Sequence, residues 1–172
     1  MIEHIPELIE AGIDSFKIEG RMKTALYVAT VARTYRKAID DYLTSPEKYK
    51  ENMDWYLEQI SNCTYRQFTT GFFFGNEPGQ VYDNGGYVRG WEVAAVCDGY
   101  ESRTAVCSQR NRFFKGETLN VLEPGRVPYE IVVKELFNHD GEPAESAPHP
   151  METLYIPLEK PMAPGALLRR KR

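Results

Sequence analysis

Glu19, Arg21 and Lys23 stand at alternate positions in the run Lys17-Ile18-Glu19-Gly20-Arg21-Met22-Lys23. A carboxylate beside two cations can bind an anionic substrate or tune an acid/base group. Arg21 leads the three, because a guanidinium grips carboxylate or phosphate in bidentate fashion. The same spacing also suits a salt-bridge cluster that ties a strand to the next helix. Tyr27, one turn into that helix, reaches the same region or packs in the core. A second set lies downstream, where Arg110, Arg112, Phe113, Phe114 and Lys115 put cations beside aromatics around one hairpin. Small β-barrels use such loops on nucleic acid, through phosphate contacts and base stacking. The competing reading is an ordinary hairpin whose phenylalanines plug one end of a barrel.

Other reactive residues carry less. His4, His139 and His149 have no second ligand at the usual spacings, so no metal site is expected in this chain. Ser61, Thr64 and Ser108 have no histidine near them in sequence, and no hydrolytic triad is visible. Asp83-Asn84-Gly85-Gly86 lacks the spacing of a phosphate loop and reads as a turn. Cys63, Cys97 and Cys107 form an odd set without a CxxC pair, which argues against a disulfide scaffold and a self-contained zinc site. Reduced thiols in a cytoplasmic protein are expected. Cys97 and Cys107 both sit in strand-like runs and can face each other across a hairpin.

The elements that position these residues fall into two halves. Ile5 to Ala11 reads as a short helix closed by Gly12, and residues 14–19 as a short strand broken by Gly20. Tyr27, Val28, Val31, Ala32, Tyr35, Ala38, Ile39 and Tyr42 recur at spacings of three and four, which predicts a helix over about 23–43. A second helix is expected over about 46–61. Residues 62–90 hold six glycines around Phe72-Phe73-Phe74 and read as a long ordered loop, with packing expected for the phenylalanines. After it come six short alternating runs: 91–98, 103–109, 117–122, 128–137, 153–158 and 166–170. Turns every 8–12 residues or so suggest a small closed barrel.

Composition sets the outer limits. The 172 residues are 42% hydrophobic and 27% charged, enough for one domain or two small ones. The net charge of −4 excludes a generally basic coat for nucleic acid, though not a local patch. The four last residues, Arg169-Arg170-Lys171-Arg172, read as a solvated basic tail. No apolar run approaches the roughly 18–20 residues of a membrane span, and the first residues lack the pattern of a signal peptide.

The stretch Ile5-Pro6-Glu7-Leu8-Ile9-Glu10-Ala11-Gly12-Ile13-Asp14-Ser15-Phe16-Lys17-Ile18-Glu19-Gly20-Arg21-Met22-Lys23 resembles the collagenase-like peptidase family U-32. So do Tyr27-Val28-Ala29, Tyr35 to Asp40, and Thr69-Thr70-Gly71-Phe72-Phe73-Phe74-Gly75. The resemblance implies an α+β chain. A helical segment over 1–80, with one short strand as the remnant of a β/α barrel, precedes a small six-stranded antiparallel β-barrel over 85–172. It implies the C-terminal part of a longer protein, whose catalytic barrel lies upstream and is this chain's first partner. Members act as collagenase-type peptidases or take part in hydroxylation of tRNA and ribosomal RNA, some with an iron–sulfur cluster. The family's cysteine signature is absent here, so any such cluster belongs upstream and none is expected in this chain. Glu19, Arg21 and Lys23 are then catalytic candidates in the full protein, at the end of a barrel strand. The β-barrel is expected to be an accessory module, inactive alone, that positions a protein or RNA substrate. The exposed helical half is expected to pair with a second copy when its barrel is missing.

Overall fold

In the computed structural model, which describes residues 1–75 and 86–172, the period of three and four becomes α2 (Ala25–Thr44), preceded by α1 (Ile5–Glu10). The buried positions of α2, including Leu26, Thr30, Val31, Thr34, Ala38 and Asp41, make one stripe. Thr24 caps its start by accepting the Tyr27 N–H at 3.3 Å. Ser45 ends α2 and begins α3 (Pro46–Glu51), accepting the Lys48 N–H on its hydroxyl ahead of Pro46. The single helix expected over 46–61 is broken at Asn52, and α4 (Met53–Ser61) follows. Asn52 turns its amide onto the Asp41 carboxylate at 3.2 Å, which accounts for the break. Ile2, Ile5, Ala38, Tyr49, Tyr56 and Ile60 form the core of this unit, Met1–Gly90. A two-residue ladder pairs β1 (Thr64–Tyr65) with β2 (Val88–Arg89).

Two expectations for this unit fail. Residues 14–19 form no strand, and Ile13 and Ile18 are exposed. Alternation cannot make a strand by itself, since a neighbour must take its ladder bonds and no described residue does so. The Phe triplet is not packed either. Phe72, Phe73 and Phe74 are 76%, 67% and 50% exposed. Phe74 alone meets another ring, that of His4, with centroids 4.4 Å apart. The turn assigned to Asp83-Asn84-Gly85 lies outside the described residues.

The second unit, Trp91–Arg172, is a β structure. Its strands are β3 (Trp91–Glu101), β4 (Thr104–Gln109), β5 (Phe113–Phe114), β6 (Thr118–Leu122), β7 (Tyr129–Val132), β8 (Ser146–Ala147), β9 (Thr153–Pro157) and β10 (Leu167–Lys171). Six of them make one antiparallel sheet in the order β7-β6-β10-β3-β4-β9, and β5 pairs with β8 beside it. The last strand in sequence is thus central. Inward positions such as Ala95, Cys97, Cys107, Leu119, Val121, Leu154, Ile156 and Leu168 form the core. The gap between the runs 91–98 and 103–109 predicts a turn at Gly99-Tyr100-Glu101; the chain instead has a bulge between Cys97 and Gly99, and the strand continues to Glu101.

The closed barrel is corrected to an open half-barrel. Edge strands β7 and β9 do not pair and stand 10 Å apart. Proline explains part of this. Pro157 ends β9 without an N–H to donate, and Pro128 stands just before β7, so neither rim can zip along its length.

Candidate nucleic-acid interface

The basic C-terminal run is not a solvated tail. β10 lies between β6 and β3, and its register sets Arg169 opposite both Asn120 and Val93. Leu167, Leu168 and Arg169 are buried, while Arg170 and Lys171 emerge toward the rim. Arg169 donates from Nε to the Asn120 carboxamide oxygen at 2.9 Å, and its guanidinium lies 4.8 Å from the Trp91 ring centre. Lys171 approaches the same ring at 5.7 Å. Arg170 bridges Glu92 at 2.9 Å and Glu117 at 2.5 Å, and also donates to the Arg112 carbonyl at 2.6 Å. Burial opposes the charge on Arg170, but the two carboxylates outweigh it and raise its pKa above the ordinary arginine value. Burial likewise opposes the charge on Glu92, and Arg172 and Arg170 overcome it, so its pKa falls.

Through Arg170 this rim continues onto the hairpin singled out in the sequence. The guanidinium of Arg112 stands 4.9 Å over the Phe114 ring, which is 43% exposed. Phe113 is fully buried and pairs with Ala147, so it packs in the core and cannot stack on a base. Lys115 is held by Glu145 at 3.1 Å, and Arg110 donates to the carbonyl of Gln109 at 2.9 Å. Beside the hairpin, a cleft of about 800 Å³ is lined by Trp91, Thr118 and Asn120, by the cations of residues 169–172 and by the carboxylates of Glu92, Glu117 and Glu130. Cations over two partly exposed rings, Trp91 and Phe114, suit phosphate contact and base stacking. Sequence reasoning expected a strand over 166–170 but missed Trp91 and the place of β10 between β6 and β3. Its signal was the shift from Leu167-Leu168 to Arg169-Arg170, a strand leaving the core.

The first candidate set is arranged differently. Glu19, Arg21 and Lys23 lie on an irregular segment around a depression of about 420 Å³. The Glu19 carboxylate accepts the backbone N–H of Arg21 at 2.8 Å. Lys23 turns to two rings, Tyr27 at 5.2 Å and Tyr87 at 4.5 Å, and Arg66 covers Tyr87 as well at 4.6 Å. The three side chains are therefore adjacent without converging on one point. Sequence reading did not find Arg66 or Tyr87, because they are far apart in sequence and meet only where they flank the ladder of β1 and β2.

Among the described residues no group of three His, Cys, Asp or Glu could hold a metal ion. Cys97 and Cys107 are cross-strand partners in the core, with the Cys97 thiol near the Gly99 carbonyl at 3.2 Å.

A helical unit followed by an open antiparallel sheet with a cation–aromatic rim defines the class of this α+β protein. Residues 1–83 match peptidase family U32, and residues 89–169 match the peptidase family U32 C-terminal domain. The chain belongs to peptidase family U32. The tRNA hydroxylation protein P1 of Bacillus subtilis is 34% identical over 99% of this chain and 41% of its own length. The tRNA hydroxylation protein P of Escherichia coli is 29% identical over 91% of this chain and 34% of its own length. A collagenase of Porphyromonas gingivalis is 34% identical over 46% of this chain and 22% of its own length. This chain therefore spans less than half the length of these relatives. The C-terminal domain of a Geobacillus thermoleovorans U32 peptidase is similar in structure, with a TM-score of 0.44 and 25% identity over 46% of this chain and 99% of that domain.

Proposed function

We propose that this chain is the C-terminal part of a U32 protein that acts in tRNA hydroxylation, with the β unit holding the RNA while chemistry occurs elsewhere in the protein. The observation that carries this reading is coverage. The relatives matched over 85–99% of the chain are named tRNA hydroxylation proteins, and two more of that name match over 40–43%. Those named protease or collagenase match over 43–46%. The rim formed by Trp91, Lys171, Arg112 and Phe114 supports it, because it pairs cations with stacking surfaces. In this reading Glu19, Arg21 and Lys23 belong to the edge of the upstream catalytic barrel, and the chain by itself cleaves neither gelatin nor peptides. The apolar side chains left exposed at Ile13, Ile18, Met22 and Phe72–Phe74 are covered by that barrel. A second copy covers them when the barrel is absent. The cytoplasm, where tRNA is found, is its place of action.

The test is fluorescence anisotropy of the full chain with an unmodified tRNA transcript across a salt series. Arg112→Ala should flatten the salt slope by about 0.7–0.9, the value for one phosphate contact. Phe114→Ala should weaken binding by roughly 1–3 kcal/mol at unchanged slope. Salt-independent binding, or gelatin cleavage that co-purifies with the chain, would overturn the reading.

A further inference from the structure

The half-barrel stops short of closure by a definite width. β7 and β9 stand 10 Å apart, and hydrogen-bonded strands are spaced about 4.8 Å. The gap is therefore as wide as one added strand bonded on both sides. It does not run the whole edge. Phe137 and Tyr155 exchange N–H to carbonyl bonds of 3.0 Å in both directions, which joins the chain to the outer side of β9 at that point. Toward Pro157 the join ends. A cleft of about 960 Å³ opens there between residues 126–135 and 157–161.

The β7 rim carries the backbone groups that a strand needs. Val133 donates to the Glu117 carbonyl and accepts the Gly116 N–H, both on the β6 side. Alternation then turns Tyr129 and Ile131 toward β6, and Glu130 and Val132 toward the gap. Lys134 donates to the Val132 carbonyl. The N–H and C=O of Glu130 and the N–H of Val132 remain directed at the cleft. Across from them Pro157 and Pro161 lack N–H groups, so the β7 rim sets the register.

The occupant follows from width and from the open rim. Four cations and three carboxylates line the cleft, close to balance. The unpaired groups along the rim are backbone donors and acceptors in alternation, which match the edge of another strand. A second copy of the sheet would bring neighbouring strands into a space that admits one. We propose that the cleft binds an extended segment of a partner polypeptide by strand addition to β7. Apolar side chains at alternate positions of that segment lie on Ile131 and Leu158, and its backbone pairs with Glu130 and Val132.

The test pans a phage-displayed random dodecapeptide library on the full chain and synthesises the enriched peptide. Selected peptides should alternate apolar and polar residues. At saturation they should slow hydrogen exchange of the Glu130 and Val132 amides by about tenfold or more. Val132→Pro removes an outward N–H at an edge position, where proline is tolerated. It should weaken binding about tenfold, the cost of roughly one hydrogen bond. Leu158→Lys, which leaves the β7 backbone intact, should also lose binding while its circular dichroism spectrum still shows the folded sheet. No enrichment, unchanged exchange at Glu130 and Val132, full binding by both folded variants, or displacement of the peptide by oligouridine would each overturn the proposal.

Discussion

Asp41 shows how one residue sets the tightness of the helical unit. Its side chain is buried, and it accepts from Lys37 at 2.6 Å, Lys48 at 2.9 Å and the Tyr56 hydroxyl at 2.6 Å. Burial works to raise its pKa, but the hydrogen bonds from Lys37, Lys48 and Tyr56 prevail and bring it from 3.8 to about 2. A folded pKa below the unfolded one stabilises at neutral pH. That stabilisation is present above pH 3.8 and is lost as pH falls through about 2. The shift corresponds to about 2 kcal/mol. Asp41→Asn should therefore destabilise the helical unit by about 2 kcal/mol near pH 7, with the deficit shrinking as the medium is acidified. Urea titrations followed by helical circular dichroism at several pH values measure this. A deficit constant with pH would show that the carboxylate charge is not the source. Lys37 lies one turn back on α2, but Lys48 and Tyr56 come from α3 and α4, and no local pattern announces those two.

At the scale of elements, the β3–β4 connection stores strain that the sequence hides. Ser102 and Arg103 both have positive φ, 48° and 62°, as a two-residue hairpin turn of this hand requires. Neither residue favours that conformation. Replacing them with Asn and Gly should stabilise the β unit by about 1 kcal/mol, seen as a rise of about 4–8 °C in its Tm. The Leu158 N–H to Arg103 carbonyl bond, 2.9 Å, is a backbone contact and survives the change. An unchanged or lowered Tm would mean that the Arg103 side chain contributes more than its backbone costs. The hairpin itself was legible as two alternating runs, but its turn was placed at Gly99 because glycine is the stronger turn signal. The bulge at Cys97–Gly99 uses that glycine inside the strand instead.

For the whole molecule, the two units have separate cores. A polypeptide of residues 91–172 should fold alone, since its buried residues find their neighbours within it. A dispersed amide spectrum and a single cooperative melt are the expected results, and an unfolded spectrum would refute the separation. The full chain should self-associate through the exposed phenylalanines, as large apolar patches do. Phe72→Ser with Phe73→Ser should shift it toward monomer in sedimentation equilibrium while leaving the helical signal intact. A monomeric wild-type chain would show that these side chains find cover by other means.

The sequence by itself determined the local period of each element: three and four residues in α2, two in the six strands of the sheet. Those signals are local, because they depend on which side chains share a face within one element. It also marked Arg112 and Phe114 as a cation–aromatic pair, since both lie on one short hairpin. Tertiary structure decided the rest. Whether residues 14–19 become a strand depends on a neighbour to bond with, and whether six strands close depends on the meeting of the first and last edges. Both are long-range matters of backbone pairing. The same holds for β10, whose arginines looked like a free tail. Inserted between β6 and β3, they meet Trp91, Glu92 and Glu117 from strands 53 to 78 residues away, and only that pairing turns a run of charge into part of a surface.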